Sequence, residues 1–148
     1  MNQLIAPYKD DPELQNTLNV QDILESAENV DIDYLGNHSL QSIVQEVFDS
    51  LKEEGMKGED LTLLCSKLVN YRYIDMLCHI HKGKHVRWLR NGKLTNGGIV
   101  VDVKFLDNGT HLLCRNGTKF IQYKFDECPT YQKLTDDEMM ILQLKECV

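Results

Sequence analysis

The chain lacks long apolar stretches, closely paired cysteines and a recognisable export signal. No window approaches the roughly 20 consecutive apolar residues that a membrane-spanning helix requires. The opening residues, MNQLIAPYKDD, have neither the basic start nor the apolar core of a secretion signal, so a secreted protein is not expected. The five cysteines are an odd number with no C-x-x-C pair, which favours an intracellular, reducing compartment over a disulfide framework.

The common catalytic signatures are also missing: no phosphate-binding G-x-x-x-x-G-K-[ST], no H-E-x-x-H and no G-x-S-x-G. Cys78, His79, His81 and His85 cluster, and the spacing of Cys78 and His81 near a predicted helix end could hold zinc. The downstream pair, His111 and Cys114, would face opposite sides of a strand, and the simpler interpretation is a core cysteine with histidines at a polar helix end. We therefore expect no metal, no cofactor and no catalytic residue.

One alternative remains in the segment Asp102-Val-Lys104, which resembles the D-x-K strand of metal-dependent nucleases. In those enzymes carboxylates hold Mg²⁺ and the lysine orients the attacking water. The chemistry needs a further acid upstream, and Asp75 is the only one in residues 61–101. A nuclease is accordingly the least favoured function.

What the chain does have is a strong segregation of charge. Its 148 residues are the usual length of a single domain, and their net charge is −7. Residues 1–60 carry 3 lysines against 14 acids, residues 61–126 carry 11 basic residues against 4 acids, and residues 127–148 carry 2 against 5. Either an acidic segment lies over a basic body, within one molecule or between neighbours, or the basic body serves a phosphate backbone.

The first half reads as an acidic arm followed by two helices. Residues 1–36 contain Pro7, Pro12 and few large apolar side chains, which predicts a largely flexible arm, with one short helix after Asn19, ordered only by docking. Residues 37–83 predict a helical hairpin. Its amphipathic helices span about 39–54 and 59–81, joined by a short glycine-bounded link.

After Gly83 the apolar period changes from 3.6 to 2. Four Asn-Gly pairs fall between residues 91 and 117, and Asn-Gly is the preferred pair of a type I′ hairpin turn. Strands are predicted at about 85–90, 98–106, 110–115, 118–126 and 130–134. Residues 84–148 thus predict a five-stranded antiparallel SH3-like or Tudor-like barrel with a short C-terminal helix, packed with the hairpin as one α+β unit. Thr135 and Glu138 form the capping box of that helix.

Basic residues line the predicted outward strand faces and the junction before them. They are the candidate contacts for a protein partner or for phosphates: Lys82, Lys84, Arg87, Arg90, Lys93, Lys104, Arg115 and Lys124.

Aromatic side chains leave two further alternatives open. Trp88 and Tyr131 would stack on bases if they were exposed. A methyl-lysine cage would need Trp88, Phe105, Tyr123 and Phe125 at one barrel mouth, but strand alternation favours placing them in the core.

Residues 79–140 resemble small proteins of nucleocytoplasmic large DNA viruses. The likeness is carried by HKGKHVRWLR (81–90), LTNGGIVVDVKF (94–105), QYKFDEC (122–128) and QKLTDDE (132–138). The resemblance implies a virus-encoded virion component of the minor capsid type, located in the host cytoplasm and the virion.

Combined with the charge pattern, this predicts a non-catalytic structural protein that holds other subunits of an assembly through its acidic arm and basic barrel face. A small-barrel nucleic-acid-binding module is the alternative.

Overall fold

An antiparallel sheet with helices packed against it forms the centre of the computed structural model, which describes residues 31–146. The helices are α1 (Ile32–Asn37), α2 (Leu40–Glu53), α3 (Gly58–Lys67) and α4 (Asp136–Glu146), and a 3₁₀ turn spans Leu77–His79. The strands are β1 (Tyr71–Ile74), β2 (His85–Arg90), β3 (Lys93–Leu94), β4 (Gly98–Leu106), β5 (Gly109–Asn116), β6 (Lys119–Lys124) and β7 (Thr130–Lys133). The α+β class and the C-terminal helix are confirmed.

The sheet is open, and the predicted closed five-stranded barrel is not confirmed. Its seven strands run in the order β1-β7-β2-β4-β5-β6, with β3 paired to β2. Within the described residues β6 pairs only with β5, and β1 only with β7. The sheet nevertheless curls: the rings of Trp88 on β2 and Tyr123 on β6, three strands apart in the order, stack with centroids 4.0 Å apart.

Helix α2 forms where the sequence predicts it. Ile43, Val47 and Leu51 recur at intervals of four residues and are buried, so one stripe of the helix faces the core. The side chain of Ser39 accepts from the Ser42 N–H, and the Ser42 side chain accepts from the Ser39 N–H. This reciprocal cap satisfies two N–H groups that would otherwise lack partners at the start of the helix.

The second helix was predicted over about 59–81, but it ends at Lys67, so the prediction is wrong for the residues that follow. Asn70 adopts a positive φ of 68°, which reverses the chain after α3, and Tyr71–Ile74 becomes strand β1. In β1 the buried positions alternate, Arg72 and Ile74 pointing in. Pairing with β7 supplies the backbone partners of this segment, and this outweighs a helical pattern whose apolar face was already drifting.

The end of the predicted arm belongs to the folded body. Residues 1–30, including the short helix predicted after Asn19, lie outside the described residues. Helix α1 follows, and its Tyr34 and Leu35 are buried with Ile43, Leu134 and Leu142 in a cluster that joins α1, α2 and α4.

Only one of the four Asn-Gly pairs forms the predicted turn. Asn91 and Gly92 both have positive φ, as a type I′ turn requires, and connect β2 to β3. At the other three pairs glycine alone has positive φ. Gly97 allows a close approach instead, since a Cβ there would lie 1.9 Å from the Val86 carbonyl oxygen.

A β-bulge in β4 changes which of its side chains point inward. The register shifts between Val100 and Asp102, so Val101 is the extra residue. Val100 packs in the sheet core, and Val103, rather than Asp102, packs against the same core beyond the bulge. Simple alternation along this strand therefore predicted the wrong faces on one side of the bulge.

We predict that Gly97→Ala destabilises the fold far more than Gly117→Ala. Both positions have positive φ, which costs a side chain about 1 kcal/mol. Only at Gly97 does the new Cβ also clash with backbone, so the expected loss there is about 3 kcal/mol. Urea unfolding of both variants measures the difference. Equal losses would contradict the close packing of β2 against the Gly97 turn.

Candidate functional site

The outward side of strands β4, β5 and β6 gathers three of the predicted basic residues on one surface. Cross-strand pairing sets Lys104 beside His111 and Lys124 in one row. Another row contains Ile99, Arg115 and Phe120. Directly paired residues share a face of a sheet. We call this surface, which carries Lys104, Arg115 and Lys124, the basic face.

Large apolar side chains are exposed among these cations. Phe120 is 63% exposed, Ile99 47% and Val101 40%. Charged and apolar side chains side by side give a partner both a steering charge and surface to bury, a combination found at protein interfaces. Phe120 was missed as a candidate. Its place opposite Arg115 depends on the hairpin register.

The charges of the basic face are only partly compensated. The Arg115 Nε donates to the Gly117 carbonyl oxygen at 2.8 Å, which fixes the side chain without neutralising it. The Lys124 ammonium lies 3.5 Å from the Glu127 carboxylate. Asp102 pairs with Leu113 and so lies on the face between the two rows, and its carboxylate accepts from the Val103 N–H. This bond and the Lys82 ammonium at 3.4 Å lower the pKa of the Asp102 carboxyl.

Lys84 is not available to any partner, so its assignment as a surface contact is wrong. It is 4% exposed and its ammonium donates to the Glu138 carboxylate at 2.7 Å. Burial lowers the pKa of Lys84, while the Glu138 hydrogen bond and charge act in the opposite direction. The sequence around Lys84 did not indicate that the side chain is buried, because its partner Glu138 is 54 residues away.

Lys84 belongs to a buried set of polar side chains between the sheet and the helices. We call this set the polar centre; its members are Asp31, Arg72, His79, Lys84, Gln132 and Glu138. Arg72, Gln132 and Glu138 are fully buried. The Arg72 guanidinium donates to the His79 carbonyl oxygen and to Asp31, and lies 3.9 Å from the Tyr34 ring centroid.

Three other predicted contacts lie elsewhere, on the β2–β3 hairpin. Arg87 is half-buried and donates to the carbonyl oxygens of Thr95 and Lys67, so it bridges backbone segments. Arg90 and Lys93 are exposed and directly paired. Lys82, at the loop before β2, pairs with Asp102. The eight predicted residues therefore divide among the basic face, the hairpin, the loop and the interior.

The aromatic residues proposed for base stacking do not reach the surface. Trp88 and Tyr131 are 1% and 0% exposed. The methyl-lysine cage likewise does not assemble, because Trp88 and Tyr123 stack in the core while Phe105 is 74% exposed. Phe105 was assigned to the core and is instead on the outside of the β4–β5 hairpin end.

The described part of the chain brings no group of three or more His, Cys, Asp or Glu side chains together in a way that would hold a metal ion. His79 instead bonds Asp31, with 2.6 Å between its Nδ1 and the carboxylate. His85 bonds the Tyr71 hydroxyl, and Cys78 is an exposed free thiol. The cluster seen in the sequence is thus divided among separate contacts. Within residues 31–146 no helix is long and apolar enough to cross a membrane.

Comparisons of the chain with protein-family models, with curated proteins and with solved structures found no match. The resemblance to viral proteins consequently stays a hypothesis, and the site has to be argued from its own geometry.

We predict that Asp31→Asn destabilises the protein at neutral pH and that the difference narrows in acid. Burial raises the pKa of Asp31, but its bonds to His79 and the Tyr34 N–H and the charge of Arg72 together lower it below the usual value of 3.8. A carboxyl with a lowered pKa contributes stability above the pKa of the unfolded chain and loses it as the pH falls toward the folded value.

Thermal unfolding of wild type and Asp31→Asn from pH 7 down to pH about 3 tests this, because the unfolded carboxyl titrates near pH 4. Asp33→Asn is the matched control, since Asp33 is an exposed acid on the same helix. A difference in melting temperature between wild type and Asp31→Asn that stays constant with pH would contradict the ion-pair assignment.

Proposed function

We propose that this chain is a non-catalytic structural protein that binds an acidic surface of another subunit in an assembly through its basic face. The observation that carries the proposal is a row in which Arg115 lies between two exposed apolar side chains, Ile99 and Phe120. An isolated apolar side chain on a surface needs no explanation, but a group of them within a charged rim is typical of an interaction site.

The composition of the face supports a protein partner. Arginine and aromatic side chains are enriched where proteins bind one another, and lysines at the rim steer acidic partners. The viral hypothesis adds the nature of the assembly, a virion of a nucleocytoplasmic large DNA virus, with the protein present in the host cytoplasm before assembly. No step of this proposal needs a cofactor or a metal ion.

A nucleic-acid-binding module is the second candidate, and the exposed Phe120 ring also favours it. An exposed aromatic between cations on an antiparallel sheet is the arrangement on which single-stranded nucleic acids stack. Three cations at the face, Lys104, Arg115 and Lys124, would neutralise only a few phosphates. So small a number of phosphate contacts makes this candidate the weaker one.

The test measures binding of the full chain to two labelled probes, polyglutamate and oligothymidylate, by fluorescence anisotropy across a salt series. We expect polyglutamate to bind more tightly per charge, with an affinity that falls as salt rises. Phe120→Ala should weaken this binding about tenfold, because the Phe120 ring, which is 63% exposed, supplies apolar contact surface on the face.

Lys104→Ala should weaken binding about threefold, and the matched control Lys133→Ala should leave it unchanged because Lys133 lies on β7, away from the face. Tighter binding of oligothymidylate with the same Phe120 dependence would establish the second candidate instead. Absence of binding to both probes at low salt would reject a charged partner for this face.

A further inference from the structure

We propose that the free edge of β6, with the cleft beside it, is a docking site for an acidic, extended segment of a partner protein, which adds to the sheet as a further antiparallel strand. The inference goes beyond the proposed function, because it concerns main-chain pairing at the edge of the sheet; Lys124 of the basic face also lines the groove.

Alternate residues of β6 direct their backbone N–H and C=O groups away from β5. The β5–β6 turn closes on the pair Asn116 and Lys119, and the Phe125 N–H donates to the Thr110 carbonyl oxygen. Because bonded and non-bonded pairs alternate in an antiparallel ladder, the backbone groups of Phe120 and Gln122 point away from β5. Within residues 31–146 they meet no hydrogen-bonding partner on that side.

An open cleft borders this edge. Two cavities, of about 520 and 590 Å³, lie between β6 and the β2–β3 hairpin, and Arg90 lines both. The first also includes Gln122 and Tyr123, and the second includes Lys119 and Ile121. The space that would have closed the predicted barrel is therefore a groove that runs along β6.

One residue that lines the groove, Trp88, has a buried donor without an acceptor in residues 31–146. Trp88 lines the second cavity and is 1% exposed, yet its indole N–H has no partner within the described residues. A buried N–H without an acceptor costs free energy.

The charge of the groove selects an acidic occupant. Arg90, Lys119 and Lys124 line the two cavities, and Glu127 is the one acid among the lining residues. Strand addition gains affinity from main-chain hydrogen bonds and specificity from side chains. The cations beside the groove would favour segments that carry acidic side chains.

The experiment uses the full chain, labelled with ¹⁵N, and an eight-residue peptide in which glutamate and valine alternate. In the free protein the amides of Phe120 and Gln122 should exchange rapidly with solvent. Saturation with the peptide should slow both by about tenfold or more, because each would then donate to the added strand. The amides of Ile121 and Tyr123, which face β5, report on the native ladder.

Two control peptides separate backbone pairing from simple charge attraction. A version N-methylated at every residue cannot donate any backbone hydrogen bond to the edge of β6 on either side, and it should not bind. A version with lysine in place of glutamate should bind more weakly, because like charges meet at the groove.

Matched variants then locate the site on the protein. Gln122→Pro removes the outward N–H at an edge position where proline is tolerated, so it should lose peptide binding while Gln122→Ala retains it. Arg90→Ala should weaken binding about threefold, as expected for an exposed charge, and Lys133→Ala should not change it. The spectrum of each variant verifies that it is folded.

The inference is overturned if the acidic peptide does not bind at millimolar concentration, if the N-methylated peptide binds equally well, or if Gln122→Pro binds as well as Gln122→Ala. It is also overturned if both amides are already protected in the free protein. Failure here is distinguishable from failure of the proposed function, because Phe120→Ala shortens a side chain of the basic face without removing a backbone group of the edge.

Discussion

The buried ion pair between Lys84 and Glu138 is the interaction on which the arrangement of sheet and helices depends. It joins the residue just before β2 to the first turn of α4, and both side chains are almost completely withdrawn from water. Removing two charges from water costs several kcal/mol per ion, and further hydrogen bonds to the pair offset part of this cost. The Glu138 carboxylate also accepts from the Thr135 N–H and hydroxyl, so one oxygen serves the helix cap and the buried cation together.

The remainder of the polar centre extends this constraint to β1 and the 3₁₀ turn. The Gln132 side chain accepts from the His81 N–H and donates to the His79 carbonyl oxygen, and Arg72 donates to the same carbonyl. These bonds hold the segment between β1 and β2 against β7. With one end of the sheet fixed to the helices in this way, β4, β5 and β6 extend away from them and present the basic face and the free edge to solvent.

Local pattern was sufficient where a segment's environment is set by its neighbours in sequence. Helix α2, the capping box at Thr135 and Glu138, and the approximate positions of β2, β4, β5, β6 and β7 follow from periodicity and turn chemistry. Sequence pattern failed where residues far away in the chain determine the structure or burial of a segment. Tyr71–Ile74 is a strand because β7 pairs with it, and Lys84 is buried because Glu138 meets it from 54 residues away. Three members of the predicted basic surface, Lys104, Arg115 and Lys124, do lie on one face, whereas Phe120 could be added only after the strand register was known.

A double-mutant cycle on Lys84 and Glu138 tests most directly whether this pair organises the fold. Lys84→Met and Glu138→Gln each leave one buried charge without its partner, and each should lower the free energy of unfolding by about 3 kcal/mol or more. The double variant leaves neither charge, so it should lose about 2 kcal/mol less than the sum of the single losses. Losses that add to within about 0.5 kcal/mol would contradict the account, because they would show that the two side chains act independently.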